Sequence, residues 1–292
     1  MTIFLSERVE QYRFADQELS AAYERVGAAT RSRLKQNIAW NAAVSGIPGG
    51  DVATARSIRR QGGRLVTERT AMDWTLVLAG NGFLSPGPVL AGCVYPLWAG
   101  VREVVVLRET GKVPVPDGIL AGLELAGLES FGQCPAEEML DTIRFAQETG
   151  GHGAILVLGT LSSVVEAGLG EVDIPVHRVG TQGRVGTIHV LCDDVSAWDW
   201  DFLAGAYPGA TFVVGGVECG SVVERLPAGV DAVQCSRDKL FLRECDLFLH
   251  PDPATSEPVS AQLCLGPGQE GAWIWPQLHP AMFEYVTIRL FS

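Results

Sequence analysis

The chain has 292 residues, of which 47% are hydrophobic and 19% are charged, and its formal net charge at pH 7 is −12. This length provides an ample core for one large or two medium domains, and the negative charge argues against binding to a nucleic-acid backbone. No apolar run reaches the roughly 18 residues of a membrane span, and the acidic amino terminus does not resemble a signal peptide, so we expect a cytoplasmic protein without a membrane partner.

The cysteines and histidines do not form a recognisable framework. Seven cysteines are present, an odd number, and no two of them have the C-x-x-C spacing of a zinc ribbon or a redox motif. The five histidines are scattered without metal-ligand spacing. The sequence therefore predicts neither a disulfide scaffold nor a metal site, and most of the cysteines are expected to be small buried residues.

The first 70 residues are predicted to form an amino-terminal helical segment. Apolar residues recur at helical spacing up to about residue 45, where a Gly/Pro cluster over residues 45–50 ends the pattern. Residues 51–70 are predicted to form another helix followed by a short strand at 64–67. Three basic residues on residues 30–44 could bind an anion, but a solvated helix face is the favoured interpretation; these residues are Arg31, Arg33 and Lys35.

Residues 74–160 alternate between apolar runs and helical patterns, which is typical of βα units around a parallel sheet. The predicted strands are residues 74–79, 101–107, 129–131 and 154–158. We assign residues 71–192 to this βα domain.

Residues beyond 160 are looser in pattern. Strands are predicted at residues 174–179, 186–191, 210–214 and within 232–249, with residues 250–280 as loop. A reduced second domain is expected over residues 193–292, and its terminal run, residues 284–291, alternates like a strand. That strand pairs either with the edge of its own sheet or with another subunit, and we expect a homo-oligomer or a subunit of a complex.

Two stretches of this βα region resemble a known family. Residues 85–106, SPGPVLAGCVYPLWAGVREVVV, resemble histidinol dehydrogenase, and residues 118–127 continue the resemblance. Both also look like the cofactor domain of the wider aldehyde dehydrogenase superfamily. The resemblance implies an α/β fold with an open parallel sheet of βα repeats, Rossmann-like and aldehyde dehydrogenase-like. Amino-terminal helices and a carboxyl-terminal β-rich extension would complete it.

The resemblance also implies a site for NAD or NADP, whereas the absence of a metal is predicted from the scattered histidines alone. In the superfamily an Asn-containing turn lies near the nicotinamide, and Gly80-Asn81-Gly82 holds that place here. The next strand ends in a basic residue that contacts the adenosine ribose; here it is Arg108, followed by Glu109, with Arg in place of the usual Lys. A later turn approaches the phosphates, and Gly159-Thr160 is similar. Glycine allows this close approach of backbone to pyrophosphate.

The best candidate nucleophile is Cys219. In aldehyde dehydrogenases the nucleophilic cysteine follows an acidic strand end by a little over twenty residues in a Gly-rich context, and Cys219 follows Asp193 in this way. Glu218 would help to move protons, and Asn81 would stabilise the oxyanion. The alternative is that Cys219 merely follows a buried strand at a tight turn. Cys134, in the sequence Gly-Gln-Cys, is a second candidate and resembles a turn residue.

Two functions remain open, because the family pattern is incomplete. Residues 179–183 carry no acid where aldehyde dehydrogenases have the general-base glutamate, and the zinc ligands and Glu-His pair of histidinol dehydrogenase are not found. One hypothesis is an oxidoreductase acting on a small-molecule aldehyde, acyl thioester or alcohol. The alternative is a catalytically degenerate member of the fold that serves as a binding or assembly subunit. A third possibility is another phosphorylated ligand at the strand ends.

Overall fold

The structure is a computed structural model that describes residues 4–45, 54–60, 63–180, 185–217, 220, 222, 226, 230–254 and 259–291. Its described helices are α1 (Leu5–Val9), α2 (Asp16–Arg25), α3 (Ala28–Ser45), α4 (Pro86–Trp98), α5 (Asp117–Leu125), α6 (Ala136–Thr149), α7 (Ser163–Leu169), α8 (Trp200–Ala206) and α9 (Arg237–Phe241). None of them is long and apolar enough to cross a bilayer.

The described strands form three sheets. The first sheet is parallel, with the order β5 (Phe131–Cys134), β4 (Glu103–Glu109), β3 (Trp74–Ala79), β6 (Gly153–Leu158) and β7 (Val176–Val179). The second sheet is also parallel, with the order β10 (Asp231–Cys235), β9 (Thr211–Gly215), β8 (Thr187–Leu191), β11 (Cys245–Leu249) and β12 (Ala261–Leu265). The hairpin sheet is antiparallel and joins β1 (Thr54–Arg60), β2 (Gly63–Ala71) and β13 (Glu284–Phe291). The predicted α/β fold with parallel βα repeats is therefore confirmed.

The first sheet is covered by helices on both faces. Alternate residues of its central strands, such as Leu76 and Val77, belong to two different core clusters. One cluster includes apolar residues of α2 to α5, and the other those of α1, α6 and α7. This double burial explains why β3, β4 and β6 are continuous apolar runs rather than alternating ones, and why they were predictable.

In both parallel sheets, the direction in which the chain adds successive strands reverses at the central strand. The chain adds β4 and β5 on one side of β3 and then crosses to place β6 and β7 on the other. In the second sheet, β9 and β10 lie on one side of β8, and β11 and β12 on the other. Such switch points leave a crevice outside the carboxyl end of the central strand, where open α/β sheets bind ligands. The second sheet starts at β8, a few residues before the expected domain boundary at residue 192, and the division into domains stays a prediction.

The hairpin sheet corrects the prediction of a helix after residue 50. Residues 54–60 form a strand that pairs with β2 over its whole length, from Thr54 opposite Arg69 to Arg60 opposite Gly63. The helix prediction was wrong because the partner strand, not the local propensity, decides the conformation of this polar segment. The predicted terminal strand is confirmed as β13, which pairs with β2 and forms an edge of the hairpin sheet.

A second correction concerns residues 250–280, which were predicted to be loop. Residues 261–265 form β12, which pairs with β11 at the edge of the second sheet. Its five residues lie between Pro- and Gly-containing segments, so the pattern was too short to be recognised as a strand.

A buried amide network fastens α3 to α4 and to the chain around Trp273. Asn37 donates to the backbone oxygen of Gly87 at 2.9 Å and accepts from the backbone N–H of Trp273 at 2.9 Å. Asn41 donates to the backbone oxygen of Trp273 at 2.7 Å and accepts from the Tyr95 hydroxyl at 3.1 Å. Both asparagines are fully buried, and these bonds offset the cost of burying their amides.

Arg33 forms an ion pair beside this network, which corrects the prediction of a solvated helix face. Its guanidinium donates to Glu270, whose side chain is only 1% exposed. Arg33 also stacks over the ring of Phe202, at 5.5 Å from the ring centroid. The solvated face is therefore the wrong interpretation for Arg33. The ion pair could not be inferred from the sequence because its carboxylate is more than two hundred residues away.

Candidate functional site

The structure brings the predicted cofactor-binding turns together at the carboxyl edge of the first sheet. Ala79, the last residue of β3, is in register with Arg108 of β4 on one side and with Leu158 of β6 on the other. The turns after these strands therefore start side by side at the switch point. The turns contain the predicted positions Gly80, Asn81, Gly82, Gly159 and Thr160, and the predicted Arg108 and Glu109 are the last two residues of β4.

At Gly80 the turn after β3 lies in close contact with the backbone that follows β6. Its N–H donates to the oxygen of Leu158 at 3.0 Å, and its own oxygen accepts from the N–H of Phe83 at 3.0 Å, which closes a β-turn over residues 80–83. A Cβ atom at residue 80 would overlap the backbone carbonyl of Thr160. Glycine is thus required here by the approach of two protein segments. Gly159 has a φ of 78°, in the left-handed region that favours glycine.

Asn81 lies at the exposed tip of the turn. Its backbone oxygen accepts a hydrogen bond from Arg108, while its side-chain amide makes none with any described residue. Gly111 packs closely against it, since a Cβ at residue 111 would lie 2.8 Å from the Asn81 Cβ. The amide of Asn81 is therefore available as a donor at the edge of the sheet.

Arg108 is buried rather than directed into solvent. It is 1% exposed, and its guanidinium also donates to the oxygen of Val113 at 3.3 Å. Among the residues that the structure describes, its Nε has no hydrogen-bond partner, and no carboxylate forms an ion pair with it. Burial lowers the pKa of Arg108. The site therefore holds a positive charge that lacks a counter-charge, which is costly unless an anion approaches it.

This charge is the feature that fits a dinucleotide. A phosphate or ribose hydroxyl near the turn would give Arg108 the partner that it lacks, provided that the segment around Val113 moves aside. The amino terminus of α4 contributes little to binding an anion, because Pro86 and Pro88 remove two of the N–H donors in its first turn. The fit thus depends on Arg108 and the turn at residues 80–82 more than on the helix.

Glu109 lies on the opposite face of β4 from Arg108, because successive strand residues alternate. It is 4% exposed, and its Oε2 accepts the backbone N–H of Ser162 at 2.9 Å. This bond links the end of β4 to the start of α7. In this conformation, therefore, the Glu109 carboxylate makes an internal hydrogen bond and does not face a ligand.

Four described cysteines are poor nucleophiles at neutral pH. Burial, together with smaller contributions from the nearby carboxylates of Glu138 and Glu109, raises the pKa of Cys134 to about 12. Burial likewise raises the pKa of Cys93, Cys245 and Cys264. Since the thiolate is the reacting species, none of these four is activated, and Cys134 behaves as a residue of the core.

Cys219 and Glu218 lie outside the described residues. The strand that precedes them, β9, is adjacent to β8 at the switch point of the second sheet. There Asp193 accepts the N–H of Val217 at 3.3 Å and an N–H of Arg237 at 3.2 Å. The chain therefore enters the predicted catalytic segment from the carboxyl edge of the second sheet, where ligand sites are expected.

An aromatic wall beside the first turn was not predicted as part of the site. Phe83 stacks on Trp275 with the ring centroids 6.4 Å apart, and the indole N–H of Trp275 donates to the oxygen of Pro88 at 3.0 Å. Gly180, with a φ of 70°, packs against both rings. The sequence signal for it is the Trp273/Trp275 pair on a Gly/Pro-rich segment.

Across the described ranges, no group of three or more His, Cys, Asp or Glu side chains is arranged to hold a metal ion.

Comparisons with known proteins give likenesses of structure and none of sequence. No protein-family model matches the chain, and no curated protein does. Histidinol dehydrogenase from Elizabethkingia anophelis superposes with a TM-score of 0.56 at 12% identity, over 96% of this chain and 76% of that one. PnpE from Pseudomonas sp. WBC-3 gives a TM-score of 0.55 at 11% identity, over 98% of this chain and 83% of that one.

A third solved structure extends the likeness to an enzyme with a stated cofactor. The NAD-dependent benzaldehyde dehydrogenase from Corynebacterium glutamicum gives a TM-score of 0.50 at 13% identity, over 98% of this chain and 90% of that one. The fold is that of the aldehyde and histidinol dehydrogenases. The resemblance inferred from residues 85–127 is thereby confirmed at the level of fold. An aldehyde dehydrogenase-like fold does not by itself carry an activity.

Proposed function

We propose that this chain is an oxidoreductase that binds a nicotinamide dinucleotide, NAD or NADP, at the carboxyl edge of the first sheet. It would act on an aldehyde, an acyl thioester or an alcohol. The observation that carries the proposal is the buried, uncompensated charge of Arg108 beside the turn at residues 80–82, at the switch point of the sheet. A ligand with anionic phosphates and ribose hydroxyls is complementary to that charge.

Each of the predicted site residues would have a separate role in the reaction. Arg108 and the turns at Gly80-Gly82 and Gly159-Thr160 would bind and orient the dinucleotide. When bound, it would supply the hydride acceptor for an aldehyde or alcohol, and in its reduced form the hydride donor for an acyl thioester. The Cys219 thiolate would attack the carbonyl carbon. The free amide of Asn81 would donate to the developing oxyanion, and Glu218 would take up or return the proton.

Titration with the four nicotinamide dinucleotides, followed by calorimetry or nicotinamide fluorescence, tests this proposal. We expect micromolar binding of NAD(H) or NADP(H). Arg108→Gln should weaken binding about tenfold or more, because it removes a charge-assisted contact. The matched control is Arg144→Gln, which removes an exposed cation of α6 and should leave the affinity unchanged.

Cys219→Ala separates binding from chemistry. This variant should bind the dinucleotide like the wild type and have no turnover with any aldehyde or acyl thioester that the wild type accepts. Thermal unfolding of each variant identifies any loss of affinity that comes from misfolding. Binding by the wild type without turnover of any substrate, or equal turnover by Cys219→Ala, would contradict the catalytic part.

A catalytically degenerate binding or assembly subunit is the second candidate, and the conformation of Arg108 and Glu109 favours it. Both side chains are buried and bonded to backbone groups of the protein itself, so in this state neither reaches a ligand. The same titration decides between the candidates. Absence of binding by all four dinucleotides would make the degenerate subunit the leading proposal.

We further propose that the hairpin sheet mediates association with a second copy of the chain. Ile58, Leu65 and Leu290 are in register across its three strands and therefore share one face. Ile288 and Val286 of β13 continue that face, and their side chains are 65% and 47% exposed. Exposed apolar residues on an edge strand are typical of a surface that pairs or packs with a partner.

Charges placed on this face should dissociate the oligomer. We expect Ile288→Lys/Leu290→Lys to lower the solution mass, measured by light scattering after gel filtration, because two ammonium groups would have to be buried in the interface. Val164→Lys/Leu242→Lys is the matched control, since both residues are exposed and lie on other elements. A wild-type protein that is already monomeric at micromolar concentration would refute the association.

A further inference from the structure

We propose that a second ligand site lies at the amino edge of the first sheet and binds a small zwitterion of the α-amino acid class with an apolar side chain. A cavity of about 360 Å³ opens there, within the size range of small-molecule sites. Its lining includes two carboxylates, one guanidinium and two aromatic rings, which belong to Asp73, Glu103, Arg102, Phe4 and Trp74.

This cavity is separate from the proposed dinucleotide site. Trp74 and Glu103 begin β3 and β4, whereas Gly80 and Arg108 lie at the other ends of these strands. A strand of this length spans roughly 20 Å. A ligand in the cavity therefore does not occupy the switch point, and the two proposals stand or fall independently.

Both carboxylates are fixed through one oxygen and leave the other unused. Glu103 Oε1 accepts the backbone N–H and the hydroxyl of Ser6, each at 2.6 Å. Asp73 Oδ2 accepts the N–H of His152 at 2.9 Å. The second oxygen of each carboxylate makes no hydrogen bond to a described residue, and neither group is paired with a described Arg or Lys. The cavity thus presents two oriented acceptors for an ammonium group.

Arg102 supplies the opposite charge. Its side chain is exposed and lines the same cavity, and it forms no ion pair within the part of the chain that the structure describes. A guanidinium matches a carboxylate with two parallel N–H donors. A ligand that carries both an ammonium and a carboxylate therefore complements the charges of the cavity better than a simple cation or anion.

The other residues that line the cavity favour a ligand with an apolar side chain. Trp74 is 5% exposed, and its indole N–H donates to the oxygen of Gly150 at 3.3 Å. Gly150 and Gly151 have φ values of 75° and 79°, so this wall requires glycines and carries no side chains that would fill the space. Phe4 completes the apolar lining. An aromatic or branched aliphatic side chain suits these contacts.

The test is calorimetric titration of the full-length protein with L-phenylalanine and L-leucine, and with two analogues of the former. Phenethylamine lacks the carboxylate, and 3-phenylpropionate lacks the ammonium. We expect at least one of the amino acids to bind in the micromolar to low millimolar range. Each analogue should bind about tenfold more weakly or worse, because each loses a charge-assisted contact. Failure of both amino acids to bind would overturn the proposal.

Three variants test which charged side chains of the cavity bind the amino acid. Asp73→Asn and Glu103→Gln keep the size of each side chain and an oxygen that can accept the existing hydrogen bonds, and Arg102→Gln removes a cation that has no described partner. Each should weaken amino acid binding about tenfold, with an unchanged midpoint of thermal unfolding. Glu124→Gln, an exposed carboxylate on α5, is the control and should bind like the wild type. Unaltered binding by all three cavity variants would locate the ligand elsewhere and refute this site.

Discussion

An Arg33→Met substitution is expected to lower the free energy of unfolding by about 3 kcal/mol, because it leaves the carboxylate of Glu270 buried without its cation. Glu270 is 1% exposed, and no other described cation forms an ion pair with it. The change is measured by urea unfolding. Lys35→Met is the matched control: it removes an exposed cation from the same helix and should change the stability by less than about 0.5 kcal/mol.

A double variant separates the buried charge from the general loss of packing. Arg33→Met/Glu270→Met removes both charges and keeps similar volumes, so it should recover most of the stability that the single substitution loses. If the double variant were as unstable as Arg33→Met, the loss would come from packing, including the contact between Arg33 and Phe202, and the electrostatic explanation would be wrong.

A Gly80→Ala substitution is expected to lower the free energy of unfolding by about 2 kcal/mol and to weaken dinucleotide binding. The added methyl group would overlap the Thr160 carbonyl, and overpacking of this kind costs about 1–3 kcal/mol. Relief requires the ends of β3 and β6 to separate, because Gly80 and Leu158 are hydrogen-bonded to each other. Such a shift would move the turn that is proposed to hold the cofactor.

The control for this prediction is Gly27→Ala. Nothing lies within 4 Å of a Cβ at residue 27, so the same chemical change should alter stability by less than about 0.5 kcal/mol. Urea unfolding and dinucleotide titration are measured on both variants. Equal stability of Gly80→Ala and wild type would contradict the packing role of Gly80, whatever the result of the titration.

The first sheet could be predicted from the sequence because its signals are local. Both faces of β3, β4 and β6 are buried, so these strands appear as short continuous apolar runs separated by helical patterns. β1 could not be predicted in the same way. Its sequence, TARSIRR, has a single large apolar residue, and its conformation follows from pairing with β2.

The location of these turns in the fold was predictable from the sequence, and their contacts were less so. The order of the turns and the resemblance placed residues 80–82, Arg108 and residues 159–160 at one edge, where the structure has them. The sequence did not reveal that Arg108 bonds to the carbonyls of Asn81 and Val113, because these contacts depend on how the segment after β4 folds back.

The amide network was missed although it left a trace in the sequence. Asn37 and Asn41 are four residues apart in α3 and share a face with Leu34. Asparagine is a poor helix former, and it competes for backbone hydrogen bonds. Two such residues at helical spacing among apolar neighbours therefore indicate buried partners, but their identity, Gly87 and Trp273, depends on tertiary structure.

The pairing of β13 with β2 has a consequence for synthesis on the ribosome. About 200 residues separate the two strands, which at typical elongation rates corresponds to roughly ten to forty seconds. During that interval the hairpin of β1 and β2 would present an unpaired edge to other nascent chains. The arginines of the hairpin, Arg56, Arg64 and Arg69 among them, place positive charge on these strands, which disfavours premature pairing of one unfinished chain with another.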